Sequence, residues 1–479
     1  MRDIKPQNFK KTALLMVLSV LAVFGCYSPA SAQEAFGPSS CEVTIGLKNA
    51  AGIYDDFVKS SFVEEFAGSK LFTRYGETIA AGKIEQLKRA IDASFSSSLV
   101  YDKALAFFAC PAVFYVIDSD LDALKLLLAV ERDISKFEYF AKFKKGVKSE
   151  KHLNTAIYSI VSDDGIESLY FCGFNSKTFF SNDIELLRGI VEKKIAADFS
   201  YKSEAPLSVN INLEKLNAKV SEIYKKRGSE TLYIYPDAKA GLINIAAFNG
   251  TAAPRQADLQ KAFDTAAKIS VPEELAFAAC AFELASADFF ASALKYAEKF
   301  EMPSDLKEAI KTLAGAGGKG FAAAMSAGGD PAVKSPITGG LSLHASFAID
   351  KCDSRPVEIL GKYLNGCRVE YISPALIVSQ SAKSGVGHGE LQWARNLNAS
   401  SGANAAYFYY LKFDDKMLEM AANIISASLS INSWQGSNAY ELMNDISQSQ
   451  SVLKTLEKLF VIRLKGFEGL NSIIQIKLR

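Results

Sequence analysis

The sequence predicts an all-α fold, a solenoid of short helix-turn-helix repeats with β-turn tips. Two observations predict it. The first is a stripe of apolar residues at i, i+3, i+6 and i+7, which would line one face of a short helix. It occurs at Ile84/Leu87/Ala90/Ile91, Leu121/Leu124/Leu127/Leu128 and Ile184/Leu187/Ile190/Val191. It returns at Val357/Leu360/Tyr363/Leu364, Leu418/Ala421/Ile424/Ile425 and Leu453/Leu456/Leu459/Phe460. In five of these six an acidic residue follows the first apolar one. The second observation is a spacing near 33 residues: Leu341 to Ser373 is 32 positions and Ser373 to Asn438 is 65. Unit starts near residues 272, 306, 339, 372, 405 and 436 follow the same period. Self-similarity at this scale marks stacked units, each too small to bury its stripe alone.

The turns between these units share a grammar. Gly328-Gly329-Asp330-Pro331 leads to Gly340-Leu341-Ser342-Leu343-His344-Ala345; Ile372-Ser373-Pro374-Ala375-Leu376 and Gly436-Ser437-Asn438-Ala439-Tyr440 are weaker copies. At this period the pattern resembles a degenerate ankyrin repeat, from an exported and bacterial protein. The resemblance implies a concave face that binds a protein partner without catalysis. It places Ile337, Tyr371, Tyr407 and Trp434 at the tips, as the partner-facing residues. His344 takes the family's structural histidine slot, although Leu341 stands where the family has Thr. Residues 33–69 become an N-terminal cap, 70–239 divergent repeats with insertions, and 240–479 the regular repeat domain with a capping unit. The insertions fall at Lys142–Gly146 and Gly173–Lys177, and Ala104–Ala112 and Leu275–Leu284 become inner helices. In the run Tyr407–Tyr410, Phe408 and Tyr409 are open to either a core or a surface role.

The N-terminus points to export. Arg2, Lys5, Lys10 and Lys11 precede the apolar run Ala13–Phe24, and Ala30-Ser31-Ala32 follows. A basic start, a short apolar core and an Ala-x-Ala end make a secretory signal peptide, residues 1–32. The run is too short to span a bilayer, which takes about 20 apolar residues. The expected product is periplasmic or extracellular. A rival use of Val23-Phe24-Gly25-Cys26 is a lipidation box, which would anchor the chain to a membrane through Cys26.

Composition excludes other classes. Residues 1–32 hold four basic residues and one acidic, so the remainder has 50 basic against 52 acidic. That balance is no footprint for nucleic acid. Beyond Cys26 the cysteines are Cys41, Cys110, Cys172, Cys280, Cys352 and Cys367. Cys110 and Cys280 stand in apolar runs as small hydrophobes; Cys352 and Cys367, on either side of one helix, make a poor disulfide pair. The three histidines, His152, His344 and His388, lack partners at metal-ligand spacing, so no metal is expected. The loop Ser384–Gly389 is Gly-rich but lacks Lys-Ser/Thr, so no phosphate cofactor is expected. The alternative to a binding scaffold is an enzyme or effector with a divergent catalytic region in residues 33–240.

Overall fold

Ala112-Val113-Phe114-Tyr115-Val116-Ile117-Asp118 is rich in β-branched and aromatic side chains, which fit a pleated, buried surface better than a helix. It is a strand, and it sets the character of the molecule. The structure, a computed structural model, describes residues 41–49, 51–53, 107, 109–118, 125–134, 147–161, 167–195, 199–217, 229–237, 240–249, 255–269, 271–273, 275–299, 302–326, 342–364, 367–380, 405–418, 453–465, 467 and 469–479. The chain divides into two compact units between Gln256 and Ala257.

The first unit holds β1 (Val43–Leu47), β2 (Ala112–Asp118), β3 (Lys125–Val130), β4 (Val147–His152), β5 (Thr155–Val161), β6 (Glu167–Phe174) and β7 (Lys177–Ser181). Helix α1 (Ile184–Val191) follows, then β8 (Leu207–Asn212), α2 (Leu213–Asn217), β9 (Ser229–Asp237) and β10 (Leu242–Asn249). All pairings are antiparallel, in the order β10-β9-β8-β1-β2-β3-β7-β6-β5-β4. One face is covered by α1, whose Leu187, Ile190 and Val191 pack on Val113, Tyr115, Leu127, Cys172 and Phe179. The opposite face buries Val130, Ile160 and Phe171, with Val43, Ile45 and Val116 beside them.

The second unit begins with α3 (Gln256–Ala267), then β11 (Leu275–Ala285), α4 (Ser286–Lys299), α5 (Ser304–Gly315), β12 (Gly317–Ser326) and β13 (Ser342–Ile349). It continues with α6 (Ser354–Tyr363), β14 (Arg368–Ile372), β15 (Ala375–Ser379), β16 (Ala405–Lys412), β17 (Leu456–Leu464) and β18 (Leu470–Leu478). Its order is β18-β17-β16-β11-β12-β13-β15-β14, again antiparallel throughout. Phe290, Ile310, Leu313 and Leu360 from α4, α5 and α6 pack against Phe347, Ile349 and Leu376 of the sheet.

The two orders are the same once the β4–β5 hairpin is set aside. The first strand of each unit sits between its second strand and its third from last, and the chain enters every strand in the same sequence. Repetition is therefore present, but the repeating body is a whole sheet rather than a helix pair.

The all-α solenoid, and with it the ankyrin resemblance, is overturned by these sheets. Leu127 and Leu128 stand in β3, and Leu456, Leu459 and Phe460 in β17. The supposed inner helix from Leu275 is β11, and Tyr407–Tyr410 lies in β16. Ser342-Leu343-His344, the best turn motif, is strand as well. A strand buried on both faces is apolar without interruption, so it satisfies a helical stripe by default. The stripes at Ile184 and Val357 do form helices, and an aspartate stands at the N-cap of each, Asp353 without a side-chain capping bond. Asp183 accepts from the Glu185 amide at 2.9 Å, and Asp353 precedes α6. The stripes at Ile84, and at Ala421 onward, lie outside the described residues. The insertion expected at Gly173–Lys177 is the tight turn between β6 and β7, where Asn175 and Ser176 have φ of 50° and 61°. That pair of left-handed residues matches the twist of a two-residue hairpin.

Two outcomes test this fold. Gly46 of β1 lies under the Tyr201 ring, and a Cβ there would come within 2.2 Å of its Cε2. Gly46→Ala should cost about 1–3 kcal/mol by overpacking in a urea melt. Burial pushes the Cys172 thiol up to about 12. At pH 8 Cys172 should therefore stay protonated and resist alkylation, and should label after denaturation, as mass spectrometry can show.

Candidate interaction face

β16 carries four aromatic residues in succession, and a strand must send them to alternate faces. Phe408 and Tyr410 are 0% and 6% exposed, while Tyr409 is 47% exposed. Tyr407 points the same way as Tyr409, with ring centroids 5.5 Å apart. Across the sheet Tyr409 stands opposite Ala279 of β11 and Val461 of β17; Tyr407 stands opposite Ala281 and Arg463. The two alanines are the reason the rings are open, because neither has a side chain tall enough to shield them. Leu411, Leu459, Ile474 and Ile476 continue the same face and are each half-buried.

Helix α4 borders this face with a second aromatic group. Phe289 is 41% exposed and stacks on Phe321 with centroids 5.7 Å apart and planes at 14°. It also meets Phe347 at 4.8 Å. Phe321 is opposite Ala281, which is opposite Tyr407, so both aromatic groups lie on one side of the sheet. Charges rim it: Lys465 bonds Glu283 at 2.7 Å and holds that carboxyl below its usual range. Arg463 is exposed beside Tyr407. An apolar aromatic centre with a charged rim is the anatomy of a protein–protein contact.

Of the tip residues expected from the sequence, Ile337 and Trp434 lie outside the described residues, as do Cys26 and His388. Tyr371 is half-buried on β14, and its hydroxyl donates to the carbonyls of Ile349 and Asp350 at 3.2 and 3.1 Å. Its ring packs in the core under the helices, so it faces no partner. Tyr407 is on the open face. Phe289 and Tyr409 were not singled out as binding residues, and alternation along Tyr407–Tyr410 was the signal for the latter.

Among the described residues, two other chemical groupings stand out. His344 sits fully buried on β13 with Nδ1 2.7 Å from Ser379 Oγ. Ser379 is 3% exposed, so no substrate reaches the pair. A cleft of about 220 Å³ is lined by Thr312, Leu313, Ala316, Lys351, Cys352 and Asp353. Ligand pockets usually start near 300 Å³, and burial and Asp353 push the Cys352 thiol up, away from nucleophile. Among the described residues no group of three His, Cys, Asp or Glu is arranged to hold a metal ion. Cys110, Cys172, Cys352 and Cys367 form no disulfide. No described helix is long and apolar enough to cross a membrane.

Comparison with known proteins adds little. No protein family matches the chain, and no curated protein does. Among solved structures, crystal form III of TP0453 is similar at 9% identity and a TM-score of 0.22, over 49% of this chain and 88% of that one. A likeness that weak carries no argument about fold or function.

Adjacent residues on opposite faces of β16 give a direct test of this geometry. Phe408→Ala should lower stability by about 3–5 kcal/mol, the cost of emptying a buried aromatic site. Tyr409→Ala should stay within about 0.5 kcal/mol of the parent, as exposed changes do. Chemical denaturation of the two variants measures both.

Proposed function

We propose that the protein is an exported, non-enzymatic binding protein whose partner is another protein, docked on the face of β16–β18. The observation that carries this is Tyr409, a large aromatic side chain nearly half exposed within a contiguous apolar surface. Scattered exposed apolar residues need no explanation, but a contiguous patch rimmed by charge does. Tyrosine on such a patch brings large contact area with few rotatable bonds, which is why it recurs among interface hot spots. The signal-peptide pattern of residues 1–32 supports export. The open sheet face takes the place of the concave groove that a solenoid would have offered, and Tyr407 belongs to it.

Capture from the cell envelope of the source cell, with the parent as bait, should recover a partner. Tyr409→Ala should then weaken its binding by about 2 kcal/mol, a thirtyfold rise in Kd, with an unchanged melting temperature. Retention of full affinity by the double variant Tyr407→Ala/Tyr409→Ala would remove this face from the interaction.

A further inference from the structure

Among the described residues, the β4–β5 hairpin is the strand pair of the first unit with no counterpart in the second. Its tip is unusual on two counts. Leu153 has a φ of 51°, a left-handed conformation that strains a branched side chain and that Gly or Asn adopts more readily. It is also 63% exposed, more than any other large hydrophobic residue described. A turn optimised for stability alone would carry neither feature.

The tip is held firmly. His152 Nε2 lies 2.9 Å from Glu192 Oε1 at the end of α1. One turn back, Arg188 grips both oxygens of Glu150 on β4, at 2.7 and 3.0 Å from Nη2. These contacts bring the C-terminal end of α1 beside the tip. Lys151 adjoins His152, and Lys193 and Lys194 adjoin Glu192; all three lysines are exposed. Arg188 engages both Glu150 and Glu185, and Lys194 engages Glu192; Lys151 and Lys193 are in no ion pair among the described residues, and the cluster keeps one positive charge in excess. An apolar residue projecting from a rigid turn, with lysines at its base, is the combination that seats on an anionic lipid surface. The apolar side chain enters the headgroup boundary while lysine stems lie along it with their ammonium groups in water.

We infer that the β4–β5 tip is a membrane-contact point that rests the protein on an anionic lipid surface, Leu153 inserting and Lys151 and Lys193 binding headgroups. This does not depend on the protein-binding face of β16–β18. A single leucine brings about a tenfold gain in partition and each lysine about fivefold, so the contact is weak and reversible, suited to a protein that also engages a partner.

The test is vesicle flotation of the product exported from a Cys26→Ser precursor, so that no acyl chain contributes. Vesicles of pure phosphatidylcholine are compared with vesicles containing phosphatidylglycerol. Binding to the anionic vesicles is expected, weakening as salt is raised. Leu153→Asn, which relieves the turn, should lower that binding about tenfold without lowering the melting temperature. Lys151→Glu/Lys193→Glu should lower it further, and Tyr409→Ala should leave it unchanged. Absence of binding, equal binding to neutral vesicles, or a Leu153→Asn variant that floats like the parent overturns the inference. So does a Leu153→Asn variant that loses a captured protein partner while vesicle binding persists, because the tip is then a protein contact.

Discussion

Each unit depends on one strand that is paired on both edges and has one face fully buried. In the second unit it is β11, paired with β12 on one side and β16 on the other. Leu275, Ala276, Ala278 and Cys280 are all 2% exposed or less. A strand in that position has no water for its backbone, so every amide and carbonyl must find a ladder partner. It has little room for side chains, since neighbours close in from above and below. Alanine and cysteine meet both demands. β1 plays the same part in the first unit, between β2 and β8, with Ile45 fully buried and Gly46 accepting the Tyr201 ring directly against its backbone.

Small residues at the centre have a consequence at the surface. Ala279 and Ala281 let β11 be covered on the side where α4–α6 pack, but they leave nothing tall beside Tyr407 and Tyr409. The helices cover the half of the sheet that runs towards β14, through Phe347, Ile349 and Leu376. The half that runs through β16, β17 and β18 keeps its apolar residues half-buried. The open face is thus a product of how the core is built, and its tyrosines are where the apolar surface becomes accessible.

Helices at Ile184 and Val357 were legible in their apolar stripes, and an aspartate stands at the N-cap of each, although only Asp183 makes the capping bond. The strands at Leu127, Leu275 and Leu459 were not legible by the same test. Their runs place apolar residues at helical spacing with Lys125, Glu283, Glu457 and Lys458 among them, and Leu, Ala, Lys and Glu are good helix formers. Intrinsic preference among ordinary residues spans only about 0.7 kcal/mol per residue, and two flanking ladders with burial on both faces outweigh it. The spacing near 33 has a simpler origin: β13 begins at Ser342 and β15 at Ala375, so successive strands of one sheet reproduce the interval.

What the sequence by itself determined is local or compositional: a signal-peptide pattern, a near-neutral charge balance, two helical stripes, and an aromatic run that had to place some rings in a core. All of these depend on residues within a few positions of one another. Only the tertiary structure decided that the apolar runs are strands, that two sheets share one strand order, and that Tyr409 faces out while Phe408 faces in. Pairing partners such as Ala279 and Tyr409 are far apart along the chain. Whether a ring is buried depends on the size of that distant neighbour, and no local pattern encodes it.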